Sequence, residues 1–108
     1  MEIAVVLHNI RSVHNVGSIF RTADAAGVKK IYLCGITPEP KDRFGKWRKD
    51  FTKVSLGAER YVTWDASARS ARAITKLLER LKKEGYKVFA VEQAKNSTSY
   101  YKFKKSKF

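Results

Sequence analysis

The stretch IAVVLHNIRSVHNVGSIFRTADAAGV, residues 3–28, opens as an unbroken apolar run and closes as a run of small residues ended by a glycine. Two His, two Asn and one Arg are packed between the two halves. A short, continuous, β-branched run such as residues 3–7 suits a strand buried on both faces of a parallel sheet, because a strand with one wet face would alternate polar and apolar residues. The segment from about Asn15 to Ala26 reads as a helix, and Gly27 closes it by tolerating the left-handed conformation in which helices commonly end. The polar residues therefore fall where a strand hands over to a helix.

Outward from this stretch the same pattern recurs. IYLCGI (31–36) and YKVFAVE (86–92) read as further buried strands, and RYVTW (60–64) as a weaker one. DASARSARAITKLLERLKKEGY is the clearest helix, with Asp65 able to cap its start and Gly85 standing past its end. Ala71, Ile74, Leu77, Leu78 and Leu81 recur at helical spacing, while Arg69, Arg72, Lys76, Arg80 and Lys83 occupy other faces, as a solvated helix surface would. Strands alternating with helices predict an α/β fold: a mostly parallel sheet of four strands with flanking helices. Residues 37–52 show no periodicity, hold both prolines and include KDRFGKWRKDFTK, which marks a long, potentially functional loop. The biased tail SYYKFKKSKF either grips RNA or leads toward a further strand.

At 108 residues the chain is one domain, and its 44% hydrophobic content with 13 aromatic residues excludes a disordered basic tail. The net charge of +13 is unevenly spread: residues 1–28 are balanced, residues 29–60 carry nine basic against four acidic groups, and residues 61–108 carry twelve against four. Such a surplus predicts a polyanionic partner, nucleic acid before any anionic membrane surface. Cys34 is the single cysteine, so a disulfide framework within the chain is excluded, and its place in an apolar run predicts a buried, inert thiol. No run has the length of a membrane span, and Glu2 precedes the first strand in place of a basic leader, so a cytoplasmic location without membrane contact is expected.

Ligands of open α/β sheets sit beyond the carboxyl ends of the strands, where HNIRSVHNVG falls. Asn9, Arg11, His14 and Asn15 project from this loop or from the first helical turn, whose N–H groups favour an anion, and Gly17 leaves room for a close backbone approach. A phosphate or ribose site at a helix N-terminus is the simplest reading; neither a Walker loop nor a GxGxxG fingerprint is present. Positions 15, 18, 19 and 22 share a helix face better than 15 and 21 do, so spacing alone leaves Arg21 open between a site residue reaching back toward the loop and a surface ion pair. His8 and His14 lack an evident third ligand, and no metal site is expected. In the long loop, Arg43, Phe44, Lys46, Trp47, Arg48 and Lys49 could pair phosphates and stack a base, or pack back on the domain.

Asn9, Arg11, Asn15, Gly17, Ile19, Arg21, Thr22, Ala23, Ala25 and Gly27 follow the pattern N-x-R-x-x-x-N-x-G-x-I-x-R-T-A-x-A-x-G. This resembles the first motif of the SpoU-like, TrmH-type RNA ribose 2'-O-methyltransferases of the SPOUT superfamily. KVSLGAE (53–59) is similar to the family's Gly-Ala stretch and GYKVFAVE to its following strand, so the resemblance spans almost the whole chain as the N-terminal portion of a catalytic domain. It implies a Rossmann-like SPOUT half and methyl transfer from S-adenosylmethionine to a ribose 2'-hydroxyl in ribosomal or transfer RNA. It also implies a homodimer that shares active-site parts. Arg21 matches the motif-one Arg that helps position or activate the hydroxyl, Asn15 the Asn that supports it, and Asn9 and Arg11 would orient the loop or the RNA backbone.

Two departures stand out. Ser12 and Val13 occupy positions where the family often has Asp-Pro, which alters loop stiffness and no reacting group. The second motif, with a Gly-Glu pair, and the third, with a Ser-Leu-Asn run, do not occur in these 108 residues. These build the C-terminal trefoil knot that holds the cofactor, so the expectation is a single, incomplete SPOUT domain over residues 1–108, with cofactor contacts outside it and no activity alone. Two other readings stand beside it: a non-catalytic RNA-binding module derived from the same fold, and an unrelated α/β phosphate-binding enzyme.

Overall fold

The computed structural model describes residues 2–93 and 101–105, with Gln93 and the last stretch given as backbone. The chain runs β1 (Ile3–His8), α1 (Val13–Ala26), β2 (Lys30–Cys34), α2 (Lys49–Ser55), a 3-10 turn (Ala58–Arg60), β3 (Thr63–Asp65), α3 (Ala71–Lys83), β4 (Lys87–Gln93) and β5 (Tyr101–Lys105). The sheet order is β3-β2-β1-β4-β5. The first four strands are parallel, and β5 adds an antiparallel edge on β4. The side chains of the basic tail, considered above as an RNA grip, lie outside the described residues.

β1 is central, and the two faces of its apolar run enter separate cores. Val5 and Leu7 pack with Ile10, Val16, Phe20, Ile31, Leu33 and Phe51 on the side of α1 and α2. Ala4 and Val6 pack with Tyr32, Cys34, Leu77, Leu81 and Val88 on the side of α3. Two covered faces are the reason that the run shows no alternation.

Several local expectations are corrected. α1 begins at Val13, two residues before the expected start, because the Ser12 hydroxyl accepts from the Asn15 N–H and caps the helix. α3 is capped by Ser70, whose hydroxyl accepts from the Ala73 N–H at 3.1 Å, and not by Asp65. Asp65 ends β3 instead, and its carboxylate accepts from the Ser67 N–H and hydroxyl at 2.8 and 2.6 Å, which holds it below the usual carboxylate range. The segment 37–52 is not all loop, since α2 starts at Lys49. The room left by Gly17 is taken by α2: a methyl there would lie 3.1 Å from the Phe51 carbonyl oxygen and 3.2 Å from Val54 Cβ. This crossing also brings Phe20 and Phe51 edge to face, with ring centres 5.1 Å apart.

Candidate functional site

Three loops meet beyond the carboxyl ends of β1 and β2. The chain leaves β1 through Asn9, which holds the left-handed conformation at φ 55°. Its N–H donates to the Cys34 carbonyl at 3.3 Å, and its Oδ1 accepts from the Ile36 N–H at 3.1 Å. Gly35 makes room for that side chain: at φ 65°, a methyl on it would stand 2.0 Å from Asn9 Oδ1.

Thr37, 1% exposed, completes the joint. Its hydroxyl accepts from the Ile10 N–H at 3.2 Å and lies 3.0 and 2.7 Å from the Leu7 and Cys34 carbonyl oxygens. The loop of residues 9–12 is thus fastened to the end of β2 through both a side chain and a buried hydroxyl.

Arg69 brings in the third loop. Its guanidinium donates to the carbonyls of Ala66, Gly35 and Thr37 and pairs with Glu39 at 3.3 Å. It precedes α3 and is half-buried, so the reading that placed it on a solvated helix face is corrected. Across the ends of β1 and β4, His8 Nδ1 lies 3.1 Å from a Glu92 carboxylate oxygen. Thr37 and Glu92 were not singled out in the sequence, because Ile10 and His8, which they bind, are tens of residues away and no spacing connects them.

Of the residues that were singled out, Arg11 and His14 are exposed at the loop and the first turn of α1. The N–H groups of Val13 and His14 precede the first bond within the helix, from Val16 N–H to the Ser12 carbonyl, and face outward from its N-terminus. Asn15 lines an apolar groove of about 410 Å³ together with Ser18, Ile19 and Thr22, which confirms that these four share one helix face. Arg21 is exposed on α1. Six residues separate it from Asn15, about 9 Å of rise and about 120° of rotation, so the two do not converge within the chain.

The long loop divides the remaining residues. Arg43 and Arg48 line a cavity of about 570 Å³ with Gly35, Thr37, Glu39, Lys41, Asp42 and Arg69, a wall with more cations than carboxylates. Arg48 also forms a two-pronged pair with Asp50 at 3.2 and 2.9 Å, and that contact holds the Asp50 carboxyl below its usual range. Trp47 is half-buried between Lys41 and Arg60, whose charged groups lie 4.7 and 5.5 Å from its ring. Lys46 and Lys49 are exposed. In the Gly-Ala stretch, the buried Glu59 accepts from the Ser55 hydroxyl and from the Gly57 N–H, which closes α2. Cys34 is buried as expected, and burial pushes its thiol up to about 11, away from nucleophilic use near neutral pH.

Among the described residues no group of three or more His, Cys, Asp or Glu could hold a metal ion, and no helix is long and apolar enough to cross a membrane. A parallel sheet whose carboxyl edge carries a fastened Asn, Arg and His loop at a helix N-terminus defines an α/β protein with its candidate site after β1. Residues 2–108 match the family model described as the SpoU rRNA Methylase family, and the chain belongs to that family. It is 33% identical over 100 residues to a Staphylococcus haemolyticus protein named for the TrmH family of tRNA/rRNA methyltransferases, covering 93% of this chain and 36% of the relative. It is 32% identical over 80 residues to the 23S rRNA (guanosine-2'-O-)-methyltransferase RlmB of Pseudomonas aeruginosa, covering 74% of this chain and 30% of the relative. The chain thus spans about a third of the length of these curated relatives.

Proposed function

We propose that this chain supplies the RNA side of an S-adenosylmethionine-dependent ribose 2'-O-methyltransferase acting on ribosomal or transfer RNA. The observation that carries the reading is the loop of residues 9–15, held at the carboxyl edge of the sheet by Asn9 and Thr37 with Arg11 and His14 exposed. A surplus of thirteen positive charges suits a polyanionic substrate. The ribose 2'-oxygen as acceptor is supported by the motif-one resemblance and by the printed name of the Pseudomonas relative.

S-adenosylmethionine would supply the methyl group as a sulfonium substituent. The residues described do not by themselves fit it: the charged cavity beside the loop sets Glu39, Lys41, Asp42, Arg43, Arg48 and Arg69 around two apolar side chains, Ile36 and Pro38. On this chain, Arg11, His14 and the loop cations Arg43, Lys46, Arg48 and Lys49 hold RNA phosphates, with Trp47 beside them, while Asn9 orients the loop. The Arg21 guanidinium stabilises the negative charge that develops on the ribose oxygen, and Asn15 supports that site. The angular separation of Arg21 from Asn15 favours a homodimer in which Arg21 serves the partner's site.

Fluorescence anisotropy with labelled tRNA and rRNA fragments tests the RNA reading. Affinity should fall as salt rises, with a logarithmic slope of about −0.7 per phosphate contact on single strands; a folded chain that binds neither RNA at low salt would sink it. Calorimetric titration with S-adenosylmethionine then separates the alternatives. A chain that binds RNA and no cofactor contributes RNA recognition alone. Saturable cofactor binding makes methylation assays worthwhile, and Arg21→Ala should then lose roughly 10²- to 10³-fold in kcat with RNA affinity little changed.

A further inference from the structure

Residues 41–47 form a small, ordered finger. Lys41 and Trp47 pair as an antiparallel bridge at its base, and the Arg48 N–H donates to the Pro40 carbonyl at 2.8 Å just beneath. At the tip, the Asp42 carboxylate accepts from the N–H groups of Phe44 and Lys46 at 2.8 and 3.1 Å. The Asp42 N–H closes the ring on the Lys46 carbonyl at 2.8 Å, and the Gly45 N–H returns to the Asp42 carbonyl at 3.0 Å. Four hydrogen bonds in seven residues fix the tip before anything binds.

What this ordered tip presents is Phe44, 73% exposed, with the Arg43 guanidinium 4.9 Å from its ring centre. The fold gains little burial from a ring so placed. Trp47 is differently situated: half-buried, with Lys41 and Arg60 against its ring, it braces the finger.

We infer that Phe44 is a base-stacking side chain, and that the finger engages an unpaired nucleotide of RNA beside the ribose held at the motif-one loop. The inference rests on the RNA reading proposed above and adds a substrate class to it. A base inside an A-form duplex is already stacked on its neighbours and offers no face to a ring, whereas a base in a single-stranded loop does. Aromatic stacking flanked by cations that take the adjoining phosphates is the usual chemistry of single-strand recognition. Arg43 and Lys46 belong to the same tip, one residue before and two residues after Phe44, with the Arg43 guanidinium over its ring. The finger also rises from the end of β2, where Ile36 and Thr37 hold the loop of residues 9–12, so a base stacked on it lies at the same edge of the sheet as that loop.

The test compares the 108-residue chain with Phe44→Ala and Phe44→Tyr, using a single-stranded RNA that carries 2-aminopurine and a blunt RNA duplex of the same length. Phe44 is exposed, so both variants should keep the wild-type circular dichroism spectrum. The expected result is a roughly five- to hundredfold weaker affinity of Phe44→Ala for the single strand, with the quench of 2-aminopurine lost, both restored by Phe44→Tyr, and duplex binding and salt slope unchanged. A Phe44→Ala chain that binds the single strand like wild type overturns the inference while the RNA reading stands. Wild-type chain that binds neither RNA overturns both. Phe44-dependent partition onto anionic phosphatidylserine vesicles, with single-strand binding unaffected by the substitution, assigns the finger to a membrane surface and likewise overturns the inference.

Discussion

At the scale of single residues, Thr37 carries more than its size suggests. One hydroxyl serves Ile10, Leu7 and Cys34, three backbone groups from two strand ends that water does not reach. Thr37→Val keeps the shape and leaves the buried Ile10 N–H without its acceptor, so unfolding in urea should show a loss of about 1–3 kcal/mol. RNA affinity should fall with it, because the loop of residues 9–12 loses its fastening. Thr37→Ser keeps the hydroxyl and should retain most of both; equal stability of Thr37→Val and wild type would refute this account of the joint. That Asn9, Arg11 and His14 lie where β1 hands over to α1 was legible from the sequence. That Asn9 spends its Oδ1 on Ile36 was not, because the acceptor was plain and its donor was 27 residues away.

Among elements, the crossing of α1 on α2 has the least slack. Phe51 backbone and Val54 already stand at contact distance from any side chain added to Gly17. Gly17→Leu should force the helices apart and cost about 1–3 kcal/mol by thermal or chemical unfolding, against the small gain of a better helix former. A variant as stable as wild type would mean that the crossing yields without strain. Elements with strong chemical punctuation were read well: β1 from its apolar run, the end of α1 from Gly27, α3 from Leu77 and Leu81. The misreadings have physical causes. Asp65 and Ser70 can both cap a helix, and the pairing of Asp65 with Tyr32 in the sheet leaves the cap to Ser70. α2, seven residues long, is too short for apolar periodicity to emerge from a basic loop.

For the whole molecule, the architecture follows from one central strand, β1, with both of its faces covered. The α/β class and the parallel sheet were legible because two buried faces leave a distinctive β-branched signature. The antiparallel β5 was missed, its residues being read as an RNA grip or a lead toward a further strand, since a tail of Tyr, Phe and Lys carries no such signature. The groove lined by Val5, Ile19, Val28 and Val91 runs along α1 beside Asn15, a surface suited to the proposed homodimer. Light scattering of the purified chain should then give twice the chain mass at micromolar concentration; a strict monomer argues against Arg21 acting in a partner's site.

The fastening of Asn9 to Ile36, with Gly35 hollowed to admit it, has a consequence for protein engineering. The conspicuous motif is a contiguous string of letters, yet mechanically it is half of a two-part clasp. Grafting residues 8–15 onto another scaffold would transplant the polar groups without their geometry. The transferable unit is discontinuous: the string together with the Gly35–Thr37 turn that receives it, and any swap of loops between relatives has to exchange both halves at once.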